Sequence, residues 1–231
     1  MTVMPDERLK RQVRPKINIE KVAYWFFRLN GCLTIVNFVV HPDFGGGQRT
    51  EVDILAVRFP YRCELITSGE PMRDHEVFKS SDLIDIVIAE VKSSRCEING
   101  PWRNKPAENM HRVLYAIGAF KKDDVPKVAE SLYNKEYYQD DNFRVRIIAI
   151  GSRKNSDLEK DLPKVVQITW DEILGFIYDR FNKYQDPKAH HPQWDWIGKF
   201  LYKTSTSLRN KDEFINFMKN LMGIFENRDS Q

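Results

Sequence analysis

The chain has 231 residues, of which 42% are hydrophobic, 12% aromatic and 30% charged. This composition excludes wholesale disorder, and the length is sufficient for one large domain with its own core. The 36 basic and 33 acidic side chains give a net charge of +3, which is too small to indicate nucleic-acid binding by itself.

No feature of the sequence predicts a membrane or secreted protein. No apolar run approaches the roughly 18 residues of a membrane span, and residues 1–16 form a basic arm without the apolar centre of a signal peptide. Three widely spaced cysteines, without a CxxC or Cys/His cluster, favour a reducing compartment. We therefore expect a cytoplasmic protein with no membrane partner.

The first predicted element after the arm is a helix that Asn18 can cap and that ends at Asn30-Gly31. Its apolar side chains recur on one face, at Ile19, Val22, Ala23, Phe26 and Phe27. Strands are predicted over residues 33–40, 51–59 and 84–91, with turn residues at 41–47 and a polar excursion at 60–82. We expect these three strands to form an antiparallel meander.

A helix is predicted next over residues 108–120, followed by a charged segment at 121–141 with a short helix after Pro126. Strands over 143–150 and 165–169 and amphipathic helices over 171–184 and 212–225 complete the series. This order predicts an α/β fold with a central mixed sheet flanked by helices. The helix at 108–120 permits a parallel crossover between the third and fourth strands.

Charged residues occupy two strands in which they are unexpected. Asp53 lies within a β-branched run, where Asp is disfavoured, and Glu90 and Lys92 end the most apolar strand. The two-residue period of a strand places Glu90 and Lys92 on the same face. A charge at the end of a buried strand is costly unless it is paired or binds an ion. If the two strands are neighbours, two carboxylates and one ammonium converge at one sheet end.

Such a group of side chains suits phosphodiester hydrolysis. Carboxylate oxygens are the ligands that Mg²⁺ prefers, and a bound Mg²⁺ polarises a phosphoryl oxygen and activates water. A lysine beside it can stabilise developing negative charge or orient the attacking water.

The pattern resembles the PD-(D/E)XK, or restriction-endonuclease-like, nuclease superfamily. That pattern is a helix with Glu, a strand with Asp and a strand ending Glu-X-Lys, supplied here by Glu20, Asp53 and Glu90-Val91-Lys92. The predicted elements of residues 17–170 resemble the αβββαβ core of the family, with residues 171–231 as a C-terminal helical extension of the same domain. The chain departs from the pattern where Val52 replaces the family's Pro, and where His111 replaces the Gln that RecB-like relatives place four residues before a Tyr.

The resemblance implies a role for each site residue. Asp53, Glu90 and the backbone carbonyl of Val91 would hold Mg²⁺, with Mn²⁺ able to substitute. Lys92 would act at the nucleophile, and Glu20 would complete the site directly or through water. The implied activity is a metal-dependent deoxyribonuclease, more specifically an endonuclease acting in restriction, defence or repair, whose partner is DNA.

Several polar side chains near the motif are candidates for contacts with DNA phosphates or bases. For each, a solvated loop position or packing at the edge of the core is a comparable interpretation. Trp102 can shape the rim of the site or stack on a base, although core packing is favoured. The candidates are Gln48, Arg49, Ser93, His111, Arg112 and Tyr115.

A second function class stays open, because a fold does not fix an activity. The chain can be a catalytically idle nucleic-acid-binding or scaffolding subunit on the same fold. A nuclease of this size without a reader domain can also depend on a homodimer or a partner subunit. The apolar stripe of the last helix serves either such a contact or core packing; it consists of Phe214, Phe217, Met218, Leu221 and Met222.

Overall fold

A computed structural model describes residues 16–79, 82–189 and 193–225. Apart from Lys16, the predicted basic arm lies outside the described residues. Helix α1 (Ile19–Leu29) begins where the sequence predicts, because the side-chain oxygen of Asn18 accepts a hydrogen bond from the backbone N–H of Lys21 at 2.9 Å.

The predicted antiparallel meander is confirmed. Strands β1 (Leu33–Val40), β2 (Thr50–Arg58) and β3 (Ile84–Val91) pair in sequence, each antiparallel to the one before. The bounds of β1 and β3 agree with the prediction, whereas β2 begins and ends one residue earlier. Phe59 is exposed beyond the end of β2 and precedes Pro60, which has no N–H to donate.

The second half of the chain adds four helices and two strands that the sequence predicts at least in part. They are α2 (Asn109–Ile117), α3 (Val125–Lys135), β5 (Phe143–Gly151), β6 (Val166–Thr169), α5 (Trp170–Lys183) and α7 (Lys211–Met222). Helix α2 ends three residues before the predicted bound, because Gly118 takes a left-handed conformation with φ of 69° and caps the helix.

Three further elements were missed by the sequence analysis: β4 (Tyr137–Gln139), α4 (Ser156–Asp161) and α6 (Trp196–Ser207). The first two are too short to show a periodic pattern. Helix α6 contains one Gly, two Thr and two Ser, which have low helix propensity, and its buried apolar side chains are those of Ile197 and Leu201. Packing against the core therefore stabilises this helix more than its own sequence does.

The six strands form one mixed sheet in the order β1-β2-β3-β5-β4, with β6 also paired to β5. Strands β3 and β5 are parallel, so the predicted crossover is confirmed; α2, α3 and β4 lie between them in the chain. Strand β4 pairs with the first part of β5 and β6 with the last part. The fold is thus α/β, with helices flanking a central mixed sheet.

Each face of the sheet carries a separate apolar cluster. The first cluster contains side chains from α1, α5, α6 and α7, and the second contains those of α2 and α3. Phe214, Met218 and Met222 of α7 are completely buried in the first cluster. The apolar stripe of the last helix therefore packs in the same core as α1. Within the described ranges, no helix is both long and apolar enough to cross a membrane.

Candidate active site

The first residues of β2 and the last residues of β3 meet at one end of the sheet. Ile54 of β2 is paired with Ala89 of β3 in the antiparallel register. Asp53 and Glu90 are the next residues along the two strands, so the register brings the two carboxylates together as the sequence analysis requires. The site lies here because two strands of opposite direction place a beginning and an end side by side.

Asp53 is fixed by the backbone of the neighbouring strand. Its Oδ2 atom accepts a hydrogen bond from the backbone N–H of Val91 at 2.8 Å. Burial nevertheless raises the pKa of the Asp53 carboxyl, although the Val91 hydrogen bond and the charge of Lys92 act in the opposite direction. The carboxylate is thus held in place at a position where its charge is incompletely stabilised.

Glu90 is more deeply enclosed, with only 2% of its surface exposed. Its Oε1 atom lies 2.5 Å from Nζ of Lys92, and its Oε2 atom accepts a hydrogen bond from the indole N–H of Trp102 at 2.9 Å. Burial raises the pKa of Glu90, and the nearby negative charge of Asp53 adds to this effect. A buried and a half-buried carboxylate whose pKa values are both raised are typical of a functional site, and a bound cation would stabilise both charges.

The backbone of Lys92 is held from two directions. Its N–H donates to the carbonyl of Ile150 on β5 at 2.9 Å, and its own carbonyl accepts from the indole N–H of Trp170 at 2.8 Å. The side chain is 28% exposed, so the ammonium contacts Glu90 and also reaches the solvent. Lys92 thus joins the buried carboxylate to the surface on which a substrate would lie.

Along β1 and β2, the order in which successive side chains point to the two faces of the sheet changes at Asp53. Ile54 packs in the first cluster, whereas Val52 packs in the second. Opposite Asp53, Asn37 of β1 has a φ of 53°, and the pair Asn37–Asp53 is missing although the register is the same at Val36–Ile54 and Phe38–Val52. A residue with a left-handed backbone conformation within a strand changes the direction of the side chains that follow it. Asp53 therefore lies where the two strands change the face that they present.

Glu20 does not form a metal-binding group of three carboxylates with Asp53 and Glu90. Its Oε2 atom accepts a hydrogen bond from the side-chain amide of Asn18 at 3.5 Å. Helix α1 packs in the first cluster, whereas Glu90 contacts Trp102 of the second, on the opposite face of the sheet. Among the residues that the structure describes, no three acidic, histidine or cysteine side chains converge as a metal-binding group.

The predicted DNA-contacting residues are distributed over the loop 41–49, the end of β3 and helix α2. Gln48 donates to Glu51 at 2.7 Å, and Ser93 is exposed directly after Lys92. The Nδ1 atom of His111 is buried without a hydrogen-bond partner among the described residues, whereas Tyr115 is an exposed aromatic. Two arginines have protein partners instead: Arg49 with the Ala107 carbonyl and Arg112 with Asp43.

Comparison with known proteins gives no relative. No family model matches the chain, and no curated protein or solved structure matches it. What the site can do is therefore inferred from its own chemistry.

The donor set fits a hard divalent cation. Asp53 and Glu90 supply carboxylate oxygens beside the backbone of Val91, and Mg²⁺ is commonly bound through one or two carboxylates while it keeps several waters. Nucleophilic catalysis by the buried thiols is disfavoured, because burial raises the pKa of Cys32 and Cys96 to about 12 and keeps both protonated.

The sequence analysis did not predict two hydrogen bonds that tryptophan side chains donate to residues of the site. Trp102 was predicted to pack in the core, and it is buried, but its N–H also donates to Glu90. Trp170 was not considered, although it donates to the Lys92 carbonyl. The signal was available in part, since a buried indole N–H generally needs a partner, but the sequence does not show which acceptor it meets.

Proposed function

We propose that the chain is a Mg²⁺-dependent nuclease that hydrolyses phosphodiester bonds in DNA, with a core of the restriction-endonuclease type. The observation that supports this is the pair of half-buried Asp53 and buried Glu90 at one sheet end, with the Lys92 ammonium 2.5 Å from Glu90. These are the residues at which the sequence resembles the nuclease superfamily. Assignment as an endonuclease follows the same resemblance.

In this proposal, Asp53, Glu90 and the carbonyl of Val91 hold the cation. When bound, Mg²⁺ supplies Lewis-acid polarisation of the phosphoryl oxygen and lowers the pKa of a bound water. Asp53 is oriented by the N–H of Val91, and Glu90 by Lys92 and Trp102, so the carboxylates are arranged before any ligand arrives. The Lys92 ammonium stabilises negative charge that develops on the phosphoryl group or orients the water.

A plasmid-cleavage assay with the Asp53→Asn variant tests this function. The wild-type protein is expected to nick or linearise supercoiled plasmid in Mg²⁺ and not in EDTA. Asp53→Asn should reduce the rate at least about 100-fold, because the amide keeps the size of the side chain but removes its charge. Asp123→Asn, at an exposed position before α3, is the matched control and should cleave at the wild-type rate. Full activity of Asp53→Asn would exclude the proposed site.

One observation favours a second candidate, an idle DNA-binding or scaffolding subunit. Both oxygens of Glu90 already have partners in the protein, namely Lys92 and Trp102, so the carboxylate is satisfied without a cation. Calorimetry with Mg²⁺ or Mn²⁺ separates the two candidates. Metal binding that Asp53→Asn abolishes supports the nuclease, whereas DNA binding without metal binding or nicking supports the idle subunit.

A further inference from the structure

The loop 41–49, which joins β1 and β2, displays one aromatic side chain to the solvent. Phe44 is 93% exposed, a larger fraction than for any other large apolar side chain that the structure describes. It precedes Gly45, Gly46 and Gly47. Beyond the chain neighbours, no described heavy atom lies within 4 Å of the position that a Cβ would take at these glycines. The Phe44 ring is therefore beside open space.

The loop that carries this ring is attached to the protein at several points. The Arg112 guanidinium forms an ion pair with Asp43 at 2.7 Å, and Arg49 donates to the backbone carbonyl of Ala107 at 2.8 Å. Within the loop, Nδ1 of His41 lies 3.2 Å from the carbonyl oxygen of Gly47. Phe44 is thus presented next to α2 by a loop fixed at both of its ends.

The loop also lies at the end of the sheet that holds the candidate site. Asp53 is three residues after Thr50, the first residue of β2, which corresponds to about 10 Å at the usual rise of 3.3 Å per residue. Another strongly exposed aromatic, Tyr61, follows the opposite end of the same strand. Phe44 and Asp53 therefore lie at the same end of the sheet, and Tyr61 lies at the other end of β2.

We propose that Phe44 stacks on an unpaired base of a DNA substrate whose backbone enters the site at Asp53 and Glu90. This rests on the proposed function and names its substrate class, namely DNA with unstacked or single-stranded bases. Any base offers a π face to an aromatic ring, and such stacking is tolerant of sequence. A single ring among glycines is too small for a protein interface. Arg49 beside it donates to an uncharged backbone carbonyl, so its positive charge suits an anionic backbone, whereas the charge of Arg112 is paired with Asp43.

Binding of DNA in EDTA tests this proposal independently of cleavage. The probe is a fluorescein-labelled single-stranded 20-mer, compared with the same strand in a blunt duplex, and the readout is fluorescence anisotropy with each variant placed on Asp53→Asn protein. Phe44→Ala should weaken binding of the single strand by about 5- to 150-fold. Phe44→Trp should bind as Phe does, and Tyr61→Ala, the matched exposed aromatic, should leave the Kd unchanged.

Other results would overturn the proposal. Three results would each show that base stacking is not the contact. They are an unchanged Kd in Phe44→Ala, an equal loss of affinity for single strand and duplex, and full binding by Phe44→Leu. Absence of binding of the single strand by the parent protein would do the same. If Phe44→Ala weakens binding but the wild type does not cleave plasmid in Mg²⁺, stacking stands and the nuclease proposal fails. If cleavage depends on Asp53 but Phe44→Ala leaves the Kd for the single strand unchanged, the nuclease proposal stands and stacking fails.

Discussion

The contact between Trp102 and Glu90 explains how a buried carboxylate is kept in one orientation. Glu90 has Lys92 on one oxygen and the Trp102 indole on the other, and the two donors leave little rotational freedom. Partners of this kind orient metal ligands in other proteins and influence affinity without touching the metal. Trp102 is therefore a positioning residue in the proposed site.

Replacement of Trp102 by Phe should weaken Mg²⁺ binding about 10-fold, because the ring still fills the core but Glu90 loses one of its two donors. Calorimetry measures the change in affinity, and the cleavage rate should recover at high Mg²⁺ concentration. Trp25→Phe is the matched control, since it removes an indole N–H that donates to Asp195 at 3.0 Å. A Trp102→Phe protein with wild-type Mg²⁺ affinity would show that the contact is purely structural.

Residues 59–79, which follow β2, are joined to the rest of the protein by the carboxylate of Asp74. Asp74 contacts three arginines: Arg58 at 2.8 Å, Arg62 at 2.8 Å and Arg180 at 3.2 Å. Arg180 belongs to α5, and its side chain is only 1% exposed. Asp74 therefore joins the excursion to the helical layer, and the buried guanidinium of Arg180 depends on it for compensation.

Asp74→Ala should lower the free energy of unfolding by about 3–5 kcal/mol, since it leaves Arg180 buried with its charge unpaired. Urea titration followed by fluorescence measures the loss. Glu76→Ala, two residues away, removes an exposed carboxylate whose ion pair with Lys79 spans 4.0 Å, and it should change stability by less than about 0.5 kcal/mol. Equal effects of the two substitutions would contradict this account of the segment.

Taken as one molecule, the protein has a single sheet with a core on each face, and the last helix packs with the first in one of these cores. An energetically unfavourable group at one place should therefore lower the free energy of unfolding of the whole protein. The raised pKa values of Asp53 and Glu90 represent such a cost, because both carboxylates are more easily ionised in the unfolded chain. Functional sites often lower the stability of the folded state, because activity requires groups that the fold alone would not favour.

Asp53→Asn should therefore raise Tm at pH 8. The folded state binds the Asp53 proton more tightly than the unfolded chain, whose carboxyl has its usual pKa near 4. Stability consequently falls as pH rises from about 4 through the higher pKa of the folded state, and the Asn variant avoids this fall. The gain should disappear below about pH 4 in thermal scans. A variant less stable than wild type at pH 8 would contradict the sign.

The sequence by itself determined most of the regular elements, although not β4, α4 and α6, and the residues with anomalous charge. Local patterns suffice for this, because the Asn18 cap of α1, the apolar run of β3 and the β-branched residues of β1 act within a few residues of one another. Asp53, Glu90 and Lys92 were recognisable for the same reason, since a charge in an apolar strand needs no partner to be conspicuous.

Only the tertiary structure decided which side chains meet. The register of β2 on β3 joins Asp53 to Val91, and the second core brings Trp102 to Glu90, across 38 and 12 positions of the chain. Glu20 does not complete a metal-binding group of three carboxylates with Asp53 and Glu90; its side chain contacts Asn18. Helix α6 forms because it is packed against the core, although its own residues favour helix weakly. Contacts between distant segments are set by packing and strand register, which no local pattern encodes.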